Sequence, residues 1–357
     1  MKPKTIKRLI AAAIITAVLT IALILRWPSI PKYEITDLGF CGMSGHVSAI
    51  NNAGQVAGWS RYYSGSPERS ITFVWDAVNG RNDLQTPEGK ESLGNDINDK
   101  GQVVGCLFET ATRQRRAFIW DEETGMTELG TLGGNSSEAE AVNNKAQVVG
   151  RAETTSGRRH AFIWDKTGGM KDLGTLGGII SLAMDINDKG QVVGISSLAN
   201  GQIRAFLWEQ SAGMTDIGTL GGPTSYADAI NNSGQVVGTS DKNGRERAFI
   251  WEKGKGITEL NLPGRQNYAT EINDQGQIIG GFETRGFLFW KAREGRCLWD
   301  PKYGAIDMDG VVPSRTRLQW VANINNNGRI VAIQDSKPGK DHIIILTPKD
   351  KSNPSDK

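Results

Sequence analysis

The stretch from Ser181 to Gly222, SLAMDINDKGQVVGISSLANGQIRAFLWEQSAGMTDIGTLGG, decides the fold. It holds four short segments divided by turn residues. The first ends at Ile186-Asn187. The second is Gln191-Val-Val-Gly194, the third Arg204-Ala-Phe-Leu-Trp208, and the fourth Met214-Thr-Asp-Ile-Gly218. Between the first two lies Asn187-Asp-Lys-Gly190. Asn and Asp side chains bond to amides just downstream, and glycine accepts positive φ, so this reads as a tight hairpin. In the preceding copy Trp164-Asp165-(x)3-Gly169 supplies the second hairpin. The unit is therefore a four-stranded antiparallel meander.

The turn signature Ile-Asn-(Asn/Asp)-x-Gly-Gln, with variants, recurs at Ile50, Ile97, Val142, Ile186, Ile230, Ile272 and Ile324. The steps are 47, 45, 44, 44, 42 and 52 residues, a period of one supersecondary unit. In the third unit Ala146 replaces the turn glycine and should sit in the left-handed region at a cost of about 1 kcal/mol. Along Phe162-Ile163-Trp164 alternate residues point to opposite faces, yet all three are apolar. A sheet buried on both faces lies between two others, as a propeller blade does. The Thr-Leu-Gly-Gly stretches at 131–134, 175–178 and 219–222 then lead from one blade's outer edge to the next blade's inner edge. The body opens with a fourth-type strand, Ile35–Leu38, and finishes with a third-type strand, Ile343–Leu346. The first can complete the last blade and remove the open edges. The expectation is an all-β, seven-bladed propeller of four-stranded antiparallel blades.

Before it stands a different segment. Leu9 to Leu25 is an uncharged run of 17 residues, at the short end of what crosses a hydrocarbon core. Lys2, Lys4, Lys7 and Arg8 precede it and favour a cytoplasmic N-terminus. Trp27 suits the far interface, and no small-residue cleavage site follows. The expected organisation is a basic cytoplasmic segment at 1–8, a transmembrane helix acting as signal-anchor at 9–27, a linker at 28–32, the propeller at 33–348 and a disordered tail at 349–357. The propeller would lie in the periplasm or outside the cell; the alternative is secretion after cleavage. Residues 33–348 carry 32 bases and 37 acids, a net of −5 against +2 for the whole chain. A nucleic-acid binder would show a basic body, so that class is excluded. Cys41, Cys106 and Cys297 have no metal spacing and read as small buried thiols.

His160-Ala-Phe162, the Arg-Ala-Phe variants at Arg116, Arg204 and Arg247, Gly-Gln-Val-Val-Gly, and Asp/Glu-Leu-Gly-Thr-Leu-Gly-Gly together resemble the HAF-repeat family of predicted extracellular bacterial proteins. The resemblance covers residues 33 to about 310. It implies repetition and an extracellular address, and no defined activity. The seventh unit departs, with Asp341-His-Ile-Ile344 in place of the aromatic strand. In the long sixth unit Gly286–Trp290 and Arg296–Trp299 compete as third strand, and the hairpin-like Asp300-Pro-Lys-Tyr-Gly304 favours the second.

Repeated residues serve every blade, so a specific activity belongs at non-repeated positions. The loops between second and third strands differ in each unit and carry Tyr62, Tyr63, Arg113, Arg115, Arg158, Arg159 and Arg245. Variable loops on a rigid ring are where binding lives, and Tyr and Arg are favoured anchors. A second set, Asp96, Glu140, Asp185, Asp228 and Glu271, lies near the ends of first strands and would form a negative well in the channel, or else bond neighbouring blades. Asp96-Ile-Asn-Asp-Lys-Gly101 looks like a calcium loop, but it recurs as a turn and lacks the closing Glu. His46 and His342 stand isolated in the sequence. No catalytic residue, metal site or cofactor is expected. The function read from the residues is a binding or scaffolding module for a protein, peptide or glycan. The alternative is an extracytoplasmic hydrolase or lyase with a carboxylate-lined channel site.

Overall fold

The computed structural model describes residues 30–40, 44–62, 69–109, 111–112, 114–284, 293–314, 316–335 and 341–349. The chain divides into Met1–Pro31 and Lys32–Lys357. Of the first unit only Ile30 and Pro31 are among the described residues, so the segment 9–27 expected to cross the membrane lies outside them, as does the tail from 350. No described helix is long and apolar enough to cross a membrane.

Among the described residues of the second unit 28 strands form seven four-stranded antiparallel sheets, and in six of them the strands follow chain order from inner to outer edge. The third blade is typical: Gly133–Val142, Val148–Thr154, Arg159–Asp165 and Gly169–Asp172. Its Ala146 takes φ 59°, the left-handed value the missing glycine required. The third strand of the sixth blade is Arg293–Asp300, as the hairpin after it indicated; the competing Gly286–Trp290 falls outside the described residues. The seventh blade closes the ring. Tyr33–Phe40 pairs antiparallel with His342–Pro348, placing Ile35 opposite Leu346 and Asp37 opposite Ile344.

The core sits between blades. Seven apolar clusters fill seven seams, and each joins residues of two neighbours. In one of them Ile119 and Leu129 of the second blade meet Val142 and Phe162 of the third. In another, Val47 and Phe73 of the first blade meet Val331 and Ile343 of the seventh. The third-strand Phe73, Phe118, Phe162, Phe206 and Phe249 are fully buried. Close packing within a blade also fixes a glycine: a Cβ on Gly150 would lie 2.0 Å from the Glu138 carbonyl oxygen.

Two hydrogen-bonded girdles run around one mouth of the channel. In the inner girdle the Nδ2 of each hairpin Asn donates to the carbonyl of the next blade's Asn at 2.9–3.1 Å. The bonds pass from Asn51 through Asn98, Asn143, Asn187, Asn231 and Asn273 to Asn325 and back to Asn51. In the outer girdle the backbone amide of the next turn residue donates to the following blade's side chain at 2.8–2.9 Å, through Asn52, Asp99, Asn144, Asp188, Asn232, Asp274 and Asn326. Asn and Asp alternate here, so an Asn amide can sit between two carboxylates, as Asn144 does between Asp99 and Asp188. The calcium-like spacing is a closure device, in keeping with its reading as a turn.

Candidate ligand site at the channel and the variable face

Every inner strand carries a bulge at one position, between Val47 and Ala49, Gly94 and Asp96, Ala139 and Ala141, and so on to Val321 and Asn323. A bulge leaves one residue out of the ladder and re-aims its side chain. The five channel acids occupy two adjacent positions here. Glu140 and Asp228 are the unpaired residues, while Asp96, Asp185 and Glu271 follow them.

All five keep some accessible surface while being surrounded by protein on most sides, as a narrow channel requires. Burial pushes Asp96 up to about 7, although the amides of Val142 and Ile97 hold its carboxylate. Asp185 reaches about 6 by burial, against amide bonds from Ile230 and Ile186. Burial alone raises Asp228 to about 7. Glu140 reaches about 7 through burial and then the charge of Glu138. Burial raises Glu271 well above its ordinary value, helped by the charges of Asp185, Asp96 and Asp228. Those partners stand on the second, fourth and fifth blades and Glu271 on the sixth, so these four acids feel one another's charge, while Glu140 feels Glu138, Arg151 and Arg115 instead. Asp96 and Asp185 also bond the neighbouring blade through Val142 and Ile230. Among the described residues no group of three acids, His or Cys is placed to hold a metal ion.

The variable face carries a more discriminating feature. A cavity of about 310 Å³ opens at the seam of the second and third blades, lined by Arg115, Ser136, Ser137, Glu138, Arg151, Ala152, Glu153 and Arg159. Glu138, whose side chain is 13% exposed, accepts from Arg115 Nη1 at 2.8 Å and from Arg151 Nη2 at 2.6 Å. Arg151 Nη1 also lies 3.5 Å from Glu140. Burial alone would raise Glu138, but the two guanidiniums outweigh it and hold the carboxyl below its usual value. Cys106 lies close to this set, and burial pushes its thiol up to about 12, as burial does for Cys297. Both thiols are buried; Cys41 lies outside the described residues.

Of the variable-face residues singled out from the sequence, Arg115 and Arg159 meet in this cavity. Arg158 and Arg245 are exposed, and neither lines it. Tyr63 and Arg113 lie outside the described residues, and so does the side chain of Tyr62. Sequence reasoning missed Glu138 and Arg151, which sit in strands. Their one signal was a break in the repeat. The positions of this facing pair hold Leu93 and Cys106, Leu182 and Ile195, or Trp320 and Ile333 in other blades. His46 is not isolated in space: it packs against Trp59 and Trp320 at 6.0 and 6.2 Å, and burial lowers its pKa.

The opposite face has grooves as well, about 670 Å³ between the third and fourth blades and about 370 Å³ between the fifth and sixth. Both are lined by repeat residues, Gln147, Asp165 and Gln191 in one and Gln235, Glu252 and Trp299 in the other. A groove that recurs with the repeat follows from blade packing.

The family model described as "Protein of unknown function (DUF3466)" matches residues 43–132 and 178–333, more than half of the chain. The chain belongs to this family. No curated protein matches the sequence. Among solved structures the DUF3466 chain is similar to the β-propeller domain of the trilobed protease from Pyrococcus furiosus, at 12% identity and a TM-score of 0.57, over 87% of this chain and 99% of that one. It is also similar to an acylaminoacyl peptidase from Pyrococcus horikoshii, at 10% identity and a TM-score of 0.55, over 89% of this chain and 54% of that one. TolB from Acinetobacter baumannii matches at 14% identity and a TM-score of 0.47, over 83% and 80% of the two chains. For the two archaeal proteins the likeness shows the propeller fold alone, and propellers host many functions.

Proposed function

We propose that this propeller is a binding module held at a membrane outside the cytoplasm, with its ligand entering the cavity between the second and third blades. One observation carries the ligand site: the Arg115–Glu138–Arg151 set lies in a seam whose counterparts are filled without such a charge pair. Taking ions out of water at an apolar seam costs stability unless their geometry is very good. Positions that break a local rule in this way mark functional sites. The partner is a protein, peptide or glycan that presents a polar, hydrogen-bonding group to the cavity.

The membrane attachment rests on the uncharged run from Leu9 to Leu25 behind four cations, with residues 9–27 as the anchor. A C-terminal reporter that works only in an oxidising compartment should be active, and activity of a cytosolic reporter there would reverse the topology. We read the unit as a HAF repeat. In support, His342 faces Gln334 as His160 faces Ala152, and each imidazole meets an outer-strand carboxylate at 2.8 Å, Asp37 and Asp172.

The cavity assignment is tested by a thermal-shift screen of the full chain against sugars, amino acids and small anions. Ligands that stabilise the parent should lose their effect in Ser136→Trp, whose indole fills the cavity. Equal stabilisation of both proteins would remove the cavity as the site. The hydrolase or lyase reading draws on the pairing of Glu140, raised to about 7, with Glu138 held low across one shared guanidinium. Its test is Glu140→Gln, which should abolish any product release detected when the parent is incubated with the screened compounds.

A further inference from the structure

We infer that the cavity between the second and third blades takes a sugar acid, a hydroxyl-bearing ring with one carboxylate. The inference rests on the reading that this cavity is the ligand site. Its lining carries three guanidiniums, Arg115, Arg151 and Arg159, against two carboxylates, Glu138 and Glu153, which leaves one positive charge over. Glu138 occupies Nη1 of Arg115 and Nη2 of Arg151 and so fixes both groups without exhausting their donors. A guanidinium has five N–H donors in a planar fork that matches a carboxylate. Arg159 is exposed, and among the described residues it has no ion-pair partner. It stands free to meet the anion.

The rest of the lining selects the body of the ligand. Ala152 is its single apolar residue. Ser136 offers a hydroxyl, and Glu153 offers carboxylate oxygens, one of which already accepts the Asn135 amide at 2.9 Å. An apolar ligand would find little contact surface here beyond Ala152, whereas hydroxyl groups would find acceptors. At about 310 Å³ the cavity lies at the low end of the range of small-molecule sites, roughly 300–1,000 Å³, which suits one sugar ring. A single surplus charge matches one carboxylate better than a doubly charged phosphate ester.

The experiment is isothermal titration of the full chain with sodium glucuronate, sodium galacturonate, glucose, acetate and glucose 6-phosphate. At least one uronate should bind about tenfold more tightly than glucose or acetate, the worth of one charged hydrogen bond. Arg159→Gln should weaken uronate binding by about the same factor, leave weak glucose binding as it was, and melt like the parent. The inference is overturned if glucose equals the uronates, if glucose 6-phosphate exceeds them, or if Arg159→Gln changes nothing. It is overturned too if no uronate binds at millimolar concentration while other screened ligands still depend on an open cavity, and then the site reading stands alone. If ligands bind Ser136→Trp as well as the parent, the site reading itself falls.

Discussion

A single asparagine shows how this ring is held. Asn187 is 4% exposed and uses every group it has. Its Nδ2 donates to Gln191 Oε1 at 2.7 Å and to the Asn231 carbonyl of the next blade at 3.0 Å. Its Oδ1 accepts the amides of Lys189 and Gln191. Asn187→Ala leaves these buried partners unsatisfied and should destabilise by about 2–4 kcal/mol, measured by thermal or denaturant unfolding. Val78→Ser, at a side chain 91% exposed, should change nothing measurable. The turn itself is legible in the sequence, since Asn-Asp-Lys-Gly has the chemistry of a tight hairpin. The bond to Asn231 is not, because donor and acceptor are 44 residues apart and a local pattern carries no map of seams. The same limit explains the cavity. Arg115 and Arg159 stand out as cations flanking variable loops, whereas Glu138 and Arg151 sit within strands and no local pattern singles them out.

At the scale of the strand, the inner-strand bulge takes one residue out of the ladder and re-aims its side chain, and in two blades that residue is an acid, Glu140 or Asp228. Alternation along a strand predicts which residues face a neighbour, but a bulge shifts that register, so its place could not be read from apolar patterning. The consequence is a pH dependence of unusual sign. Asp228 has a folded value of about 7 against an ordinary 3.8, so the folded chain keeps its proton where the unfolded chain has lost it. Its contribution to stability is complete below about pH 4 and is lost as pH rises through about 7. Asp96, Asp185 and Glu140, raised to about 7, 6 and 7, act in the same direction. Asp228→Asn removes one such group without changing the shape of the side chain. Across this window the parent should lose more of its melting temperature than the variant does, by a few degrees. Parallel curves for the two proteins would contradict the assignment.

For the molecule as a whole, seven units with one strand displaced to the front amount to a ring with a latch. The similar propeller of the trilobed protease is described as having an open velcro topology. Here the latch is closed by Tyr33–Phe40, which the missing fourth strand at the C-terminus foretold. The strand does two things. It covers the edge of His342–Pro348, whose Ile343, Ile344, Ile345 and Leu346 are buried. It also sends Tyr33, 2% exposed, into the seam of the sixth and seventh blades, where the Tyr33 amide bonds the Val311 carbonyl at 3.1 Å. Burial pushes the Tyr33 phenol up to about 12, with the charge of Asp300 adding to the effect. Deleting residues 33–39 removes the ladder and the seam contact together and exposes an apolar edge that invites association. The truncated chain should melt at least ten degrees or so below the parent, or aggregate on refolding. Tyr33→Ala tests the seam alone and should cost about 3–5 kcal/mol, the range for removing a large buried aromatic. If the truncation melts with the parent while Tyr33→Ala also has no effect, the ring is held by its Asn girdles and seams without a latch.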